Sequence, residues 1–343
     1  MRGFEEAFKG RSVAGLPDEL ITAMARHGVG SVAIGLRRGD PQALEEALKV
    51  ITSQEAPAGQ RRQFIQILGE VRSVEAVPSL MTLLATENDD ALLQATFVAL
   101  QPAAPPAIAS VAISRLPKLA PGARAAALSL LTSRESFALA LLQAVAAENI
   151  PAGIVAPEYV RALKSVVGQS KHATIDRLWP KAGRSSSAEM QQELERLRLA
   201  LDEGHGDPYN GKRLFTATCA ACHRLFSHGG EIGPDLTSLD RSDAGNLLLA
   251  IVNPSAEIRE GYENFSIETR DERWLNGFIV EQDGRRVILR GFDGQNVVLP
   301  RSDIAVLKAA GMSLMPEGLT TSLDDQQVRD LFAYLRSSQP LSE

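Results

Sequence analysis

The stretch with the most specific chemistry is Cys219-Ala220-Ala221-Cys222-His223. Two cysteines separated by two residues, with a histidine directly after the second, have the spacing used for covalent attachment of c-type haem. On one turn of helix, this spacing places the two sulfurs about as far apart as the two porphyrin vinyl groups. The thiolates of Cys219 and Cys222 would add to the vinyl groups, and the imidazole of His223 would take the iron. The motif therefore predicts one covalently bound haem c.

Two other uses of the cysteines, besides a chance match, stay open at this point. A structural zinc site needs four ligands, and Cys219 and Cys222 are the only cysteines among 343 residues. The other two ligands would have to come from scattered histidines, namely His27, His172, His205 and His228. A thioredoxin-like dithiol would follow a strand, whereas the residues before Cys219 have a helical pattern. Haem attachment is the favoured interpretation.

Length and charge narrow the class of protein. A chain of 343 residues can form two domains, or three. The net charge of −6 gives no electrostatic reason to expect a nucleic acid or an anionic membrane as partner. No apolar run approaches the roughly 20 residues that span a bilayer, and no apolar segment typical of a signal peptide follows Met1. Because c-type haem is attached outside the cytoplasmic membrane, we expect a periplasmic or otherwise exported protein, of which this chain is the mature region or a fragment.

The first domain, residues 1–203, is predicted to consist of short amphipathic helices. Apolar residues recur at helical spacing, and Pro, Gly, Asn or Asp separate the runs. These runs include Phe64, Ile67, Leu68 and Val71, then Val77, Leu80, Met81 and Leu84, then Leu93, Phe97 and Leu100, then Ala138, Leu141, Leu142 and Val145. Helix pairs that recur every roughly thirty to forty residues are typical of a HEAT-like α-solenoid. An irregular bundle is the rival architecture.

The ends of this helical array are also predicted. The segment from Leu16 to Arg38 would cap its start, and the last helix would carry Leu194, Leu197 and Leu201 on one face. The glycine-bracketed linker around His205 would mark its end. The extended concave face of such an array could bind a protein. We expect no catalytic residue in this domain.

The second domain, residues 207–338, is predicted to begin and end with a helix. Asp207 followed by Pro208 favours a helix start, and Ser322-x-x-Asp325 favours the start of the last helix. Gly211, one turn before a phenylalanine, would let Phe332 or Tyr334 approach closely. The first and last helices should therefore cross.

Residues 260–308 do not have a helical pattern. They contain four β-rich runs separated by the turn sequences Asp283-Gly284 and Asp293-Gly294. We interpret them as a small antiparallel sheet or SH3-like barrel inserted in the second domain. Its aromatic residues Trp274 and Phe278 are expected in the core of the sheet rather than on a docking surface.

Taken together, the motifs of residues 207–338 resemble class I cytochrome c. They are most similar to the haem-binding domain described in planctomycetes and verrucomicrobia, in which helical repeats often precede the haem domain. The resemblance rests on residues 210–215, 219–223, 229–237, 253–255, 261–263, 313–319 and 330–335. The expected fold is therefore mainly α, with a HEAT-like α-solenoid followed by a cytochrome c fold that carries an inserted sheet.

The resemblance also implies roles for individual residues. His223 would be the proximal iron ligand, and the carbonyl of Pro234 would accept a hydrogen bond from its other ring nitrogen. Leu236 would pack on the haem face, and Met315 would be the distal ligand, since His/Met ligation raises the haem potential into the electron-transfer range. Other candidates for the sixth position are Met312 and His228, or an open site. Arg241 could also reach a haem propionate.

The predicted function is electron transfer by a single c-type haem on a helical-repeat scaffold. Its partners would be another redox protein or a fused dehydrogenase domain, and no catalytic acid, base or nucleophile is expected. Two other functions compete with this one. The first is a haem enzyme or gas sensor with an open sixth site, and the second is a protein-interaction module in which the haem is structural.

Overall fold

The computed structural model describes residues 31–180 and 185–341 of the chain. This part of the chain is mainly helical, with fourteen α-helices and a small antiparallel sheet. The predicted capping segment lies outside the described residues as far as residue 30, and its remainder forms helix α1.

Ten helices form the N-terminal array. Their bounds are α1 Ser31–Arg38, α2 Pro41–Thr52, α3 Ala58–Glu70, α4 Val77–Thr86, α5 Asp90–Leu100, α6 Pro106–Arg115, α7 Pro121–Leu131, α8 Glu135–Ala146, α9 Pro157–Val166 and α10 His172–Leu178. Most of the predicted apolar positions are buried in one continuous core. Val71 is an exception at 39 % exposed, because α3 ends one residue earlier.

The array has two layers of helices. Helices α1, α3, α5 and α7 pack on one another in succession, and α2, α4, α6 and α8 form a second series. Gly69 of α3 permits a close approach to α5, since a Cβ at this position would lie 2.6 Å from the Cα of Ala99. Stacked helix pairs bury their apolar faces in this way, although the assignment of these pairs to the HEAT type stays a prediction.

Helix α11, Ser187–Asp202, packs with the C-terminal unit rather than with the array. It begins with a capping box between Ser186 and Glu189. Leu197 and Ala200 are buried in a cluster with apolar residues of the last two helices of the chain, namely Leu248, Val252, Val328 and Phe332. The sequence pattern assigned this helix to the array because it has an amphipathic face, but such a pattern does not specify which surface covers that face.

The C-terminal unit contains three further helices, α12 Pro208–Thr218, α13 Ala244–Val252 and α14 Asp325–Leu335. Asp207 caps α12 as expected and accepts a hydrogen bond from the backbone N–H of Tyr209 at 2.9 Å. The predicted start of α14 is wrong by two residues. Its capping box is formed by Asp324 and Gln327, which make reciprocal hydrogen bonds.

Helices α12 and α14 cross, as predicted. A Cβ at Gly211 would lie 1.9 Å from the carbonyl oxygen of Asp330, so only glycine allows this approach. Tyr334 provides the aromatic partner, with its ring centroid 5.4 Å from that of Phe215 in an edge-to-face arrangement. This crossing joins the start of the unit to its end.

Seven strands lie within the C-terminal unit. Two short ones, β1 Arg224–Leu225 and β2 His228–Gly229, pair with each other. The others form an antiparallel sheet with the order β6-β5-β4-β3-β7, and their bounds are β3 Phe265–Thr269, β4 Trp274–Gln282, β5 Arg286–Arg290, β6 Asn296–Pro300 and β7 Ile304–Ala309. Strands β3 to β6 match the four predicted runs to within a few residues, whereas β7 was not predicted as a separate strand.

The sheet docks against the helical array, which the sequence did not predict. Trp274 packs on the core of the array instead of the core of the sheet, and its backbone N–H donates to the carbonyl of Ser133 at 2.7 Å. Four further pairs cross the interface, namely Arg134 with Asp271, Gln94 with Gln295, Tyr159 with Phe292 and Arg72 with Asp303. The contacts are spread along the array from α3 to α9.

No single helix among residues 31–180 and 185–341 has the length and apolar composition to cross a membrane. Helices α7 and α8, which are bent relative to each other, meet these two criteria only when they are counted together. Their apolar side chains belong to the core of the array.

The crossing of α12 and α14 gives a testable prediction. In Gly211→Ala the added methyl group should force the helices apart and lower the free energy of unfolding by about 1–3 kcal/mol. A matched control is Gly59→Ala in α3, where nothing lies within 4 Å of the added Cβ. There we expect no loss, because alanine favours helix over glycine by about 1 kcal/mol. Urea unfolding followed by circular dichroism would compare the variants, and equal midpoints would contradict the predicted crossing.

Candidate haem-attachment site

The Cys219–His223 motif forms a hydrogen-bonded turn at the carboxyl end of α12. Cys219 is the C-terminal cap of that helix, and its backbone N–H donates to the carbonyl of Phe215 at 2.7 Å. The backbone N–H groups of Cys222 and His223 both donate to the carbonyl of Cys219, at 3.1 and 2.9 Å. The turn therefore continues the helix locally, as the spacing of the cysteines predicted.

The loop after the motif folds back over this turn. The N–H of Gly230 donates to the carbonyl of Ala220 at 2.8 Å, and the N–H of Gly233 donates to the carbonyl of Cys222 at 2.8 Å. Gly229 has a φ of +117° and passes so close to His223 that a Cβ would lie 2.0 Å from its carbonyl oxygen. Glycines are needed here because two backbone segments are in contact.

The imidazole of His223 is oriented by this loop. Its Nδ1 donates to the carbonyl of Pro234 at 2.9 Å, the contact that the family resemblance implies. Gly233 lies against the ring, since a Cβ on Gly233 would be 2.5 Å from Cε1 of His223. With Nδ1 engaged, Nε2 is the nitrogen left for a metal.

Burial keeps both thiols and the imidazole of the site neutral. It raises the pKa of Cys219 to about 12, and the neighbouring Cys222 adds to this rise. The pKa of Cys222 is raised to about 11, first by burial and then by the charge of Glu158. Burial also lowers the pKa of His223, against the smaller effect of its bond to Pro234. A neutral imidazole is the form that binds iron.

These properties bear on the two alternative uses of the cysteines. Redox-active dithiols have a lowered pKa, and here both thiols have a raised one. For zinc, the described residues contain no group of three or more histidine, cysteine, aspartate or glutamate side chains that could hold a metal ion. The raised pKa values therefore favour haem attachment over a redox dithiol.

Leu236 and Arg241 lie beside the motif. Leu236 is half-buried and packs on the cluster that contains Phe215, Leu331 and Tyr334. Arg241 is 9 % exposed. Its Nε donates to the carbonyl of Leu236 at 2.7 Å, and its Nη1 donates to the carbonyls of Leu335 and Ser337.

Arg241 therefore joins the loop after the motif to the end of α14. Its guanidinium also lies 5.4 Å from the ring centroid of Phe226. A contact between Arg241 and a haem propionate stays a prediction.

Met315 lies in the loop between β7 and α14. Its backbone N–H donates to Oγ of Ser313 at 3.1 Å, and the N–H of Ser313 donates to Oγ of Ser255 at 3.1 Å. This loop is thus held to the segment after α13, and both Met312 and Met315 are half-buried. His228 is exposed on strand β2. The choice of distal ligand among these residues stays a prediction.

One residue near the motif comes from the helical array, where the sequence indicated no functional residue. Glu158 of α9 lies close enough to Cys222 for its charge to raise the pKa of that thiol. Burial raises the pKa of Glu158 as well. An acidic residue in the first turn of a helix is common, so no sequence signal could have distinguished Glu158.

Comparison with known proteins agrees with this description of the motif. The model of the cytochrome c family matches residues 209–275, which extend from α12 through the motif and α13 into β4. A search of curated proteins gave no match. The chain therefore contains a cytochrome c domain. Such a domain implies covalently bound haem c and indicates haem-based electron transfer. Met315 lies beyond the matched residues.

The raised pKa values predict that the thiols of the folded, haem-free chain react slowly. Alkylation requires the thiolate, and an unfolded cysteine has a pKa near 8.5. At pH 8 we expect iodoacetamide to modify Cys219 and Cys222 at least about 100-fold more slowly in the native chain than in urea, as followed by mass spectrometry. Similar rates in the two states would show that the thiols are not buried as described.

Proposed function

We propose that this protein is a single-haem c-type cytochrome that transfers electrons between a donor protein, or a fused dehydrogenase domain, and another carrier. The observation that carries the proposal is the geometry of His223, which follows Cys222 directly and donates from Nδ1 to the carbonyl of Pro234 at 2.9 Å. This bond fixes the tautomer and the ring plane that a proximal iron ligand requires. A redox dithiol does not need this bond.

The residues present fit haem c. Cys219 and Cys222 would hold the porphyrin through two thioether bonds, His223 would bind the iron, and Met315 would be the distal ligand. When bound, the haem supplies an iron that cycles between the ferric and ferrous states. Its thioether and imidazole donors are neutral, and a soft thioether favours the ferrous state.

In this function, the role of the polypeptide is to hold the haem and its iron ligands in position. Gly233 and Pro234 hold the imidazole, and the loop that they belong to covers the turn of the motif. Leu236 would limit the access of water to one haem face. With His223 and Met315 both bound, the iron would have no open position for a substrate, and electron transfer would be the remaining function. Docking of the redox partner would then be small and transient.

The helical array would be the scaffold for this domain. Its two series of stacked helices support the HEAT-like interpretation, and its exposed face is a candidate surface for a protein partner. We also propose the finer assignment to the haem-binding domains of planctomycetes and verrucomicrobia. An exported location follows from the covalent haem, since c-type haem is attached outside the cytoplasmic membrane.

The haem-attachment proposal is tested by expressing the full chain with a c-type maturation system and recording haemochrome spectra. Wild type should retain its haem in acidic acetone, because both bonds to the porphyrin are covalent. The double variant Cys219→Ala/Cys222→Ala should release all of its pigment, because it has no thiol. Wild-type protein that is colourless, or that loses its pigment to acidic acetone, would contradict the proposal.

The distal ligand is tested separately with Met315→Ala. Loss of the thioether should convert low-spin to high-spin iron and allow ferrous protein to bind carbon monoxide rapidly. The matched control is Met312→Ala, three residues earlier in the same loop, which should keep the wild-type spectrum. If Met315→Ala instead keeps the wild-type spectrum, another residue is the distal ligand. If wild type itself binds carbon monoxide rapidly, the open-site alternative is correct.

A further inference from the structure

Helix α11 lies against the loop that carries Met315. Residues 310–324 join β7 to α14, and we call them the methionine loop. We propose that Glu193 and Arg196 of α11 are positioning residues, which hold the methionine loop and thereby keep Met315 in place as the distal ligand. This inference rests on the proposed function, because it takes Met315 as that ligand.

The two residues form an ion pair that also binds the methionine loop. Nε and Nη2 of Arg196 donate to the two carboxylate oxygens of Glu193, both at 2.9 Å. Nη2 of Arg196 also donates to the carbonyl of Thr320 at 3.1 Å, and Oγ1 of Thr320 donates to the carboxylate of Glu193 at 2.7 Å. Thr320 is 2 % exposed, so water has little access to its bonds. The ion pair thus holds both the backbone and the side chain of Thr320.

Two further contacts hold the methionine loop. The backbone N–H of Ser185, just before α11, donates to Oε2 of Glu317 at 2.8 Å. Nη1 of Arg196 donates to the carbonyl of Leu323 at 3.3 Å. The contact at Glu317 lies only two positions beyond Met315, so the backbone next to the proposed ligand is held as well.

The charges around Arg196 keep the pair ionised. The hydrogen bond from Arg196 lowers the pKa of Glu193, burial opposes this effect, and the bond from Thr320 lowers the pKa further. A second carboxylate, that of Asp325, accepts from Nη1 of Arg196 at 3.1 Å, but it is 53 % exposed. The Glu193 side chain is 15 % exposed. Because water weakens exposed ion pairs, the bond to Glu193 is the stronger of the two.

The start of the methionine loop is fixed at a second place, which α11 also supports. The N–H of Ser313 donates to Oγ of Ser255, and the N–H of Met315 donates to Oγ of Ser313. Ser255 follows α13 directly, and α11 packs on α13 in the cluster that contains Leu197 and Leu248. Met315 therefore lies between two fixed points, and α11 contributes to both.

A methionine held in this way would compete better with other ligands for the sixth position of the iron. Restriction of the loop raises the effective concentration of the Met315 sulfur at its site, because fewer loop conformations place it elsewhere. Without the contacts of α11, the loop would open more often and an external ligand could take the position. Closure of the site would thus depend on a helix outside residues 207–338, the range predicted for the haem domain.

Helix α11 contains a matched control two residues further along. Glu195 and Arg198 form an ion pair with the same i, i+3 spacing at 2.8 Å, and both side chains are more than half exposed. Among the described residues, the hydrogen bonds of Arg198 stay within α11, where Asp202 is its other partner. Arg198→Met therefore removes the same type of pair without touching the methionine loop.

The test uses the full chain matured with covalent haem, and its ferric form is titrated with imidazole, an external ligand for the sixth position. Arg196→Met should bind imidazole about tenfold more tightly than wild type, because the methionine loop loses two hydrogen bonds from a charged donor. Arg198→Met should bind imidazole as wild type does. Absorption spectra would give the dissociation constants.

A second pair of variants keeps the test decisive if Arg196→Met fails to fold. Thr320→Val removes the hydroxyl that donates to Glu193 but keeps the size of the side chain, and it should tighten imidazole binding about fivefold. Thr320→Ser keeps the hydroxyl and should restore the wild-type affinity.

Amide hydrogen exchange in the haem-free full chain gives a measurement that does not involve iron. The N–H groups of Thr321 and Leu323 donate to the carbonyls of Gly318 and Thr320 within the methionine loop. Their exchange should be about tenfold faster in Arg196→Met than in Arg198→Met, because the loop opens more often.

The outcomes separate this inference from the proposed function. Equal imidazole affinities in Arg196→Met and Arg198→Met, or in Thr320→Val and Thr320→Ser, would overturn the inference alone, and so would equal exchange rates. If Met315→Ala keeps the wild-type spectrum, the assignment of the distal ligand fails and the inference fails with it. Wild type that matures without covalent haem would overturn the proposed function as well.

Discussion

The hydrogen bond between His223 and the carbonyl of Pro234 is the contact on which the candidate haem site depends. It can form only because Gly233 brings the backbone against the imidazole ring, where no side chain would fit. The same loop returns to the turn through the N–H groups of Gly230 and Gly233. The backbone of a sixteen-residue segment, residues 219–234, thus sets the orientation of this one ring.

A second constraint is the contact between the first and last helices of the C-terminal unit. Gly211 allows α14 to lie directly on α12, and Arg241 joins the end of α14 to the loop after the motif. The contacts that Gly211 and Arg241 make with α14 join residues more than ninety positions apart. The haem-attachment turn therefore rests on a helix whose position depends on the far end of the chain, and the inserted sheet can occupy the interval without disturbing it.

The helical array and the cytochrome domain are joined by more than a linker. Helix α11 packs on the C-terminal helices, and the sheet packs on the array through Trp274 and a group of buried arginines. Glu158 of the array even affects the pKa of Cys222. The array therefore contributes to the surroundings of the candidate haem site. We expect substitutions in the array to alter the pKa of groups at that site.

The sequence alone determined the features that depend on local spacing. These are the Cys219–His223 turn, the helix capped by Asp207, the four strands β3 to β6 and the apolar faces of the array helices. Each follows from residues that are near one another in the chain, so the chemistry of capping, turns and periodicity was sufficient to predict it.

Only the tertiary structure decided which surfaces meet. Trp274 and α11 have apolar faces that fit several partners, and their actual partners lie far away in the sequence. Arg134 and Arg273 are likewise ordinary charged residues in the sequence, and they are buried together where the sheet docks on the array. Burial and charge proximity are properties of the packed molecule, and no local pattern of residues encodes them.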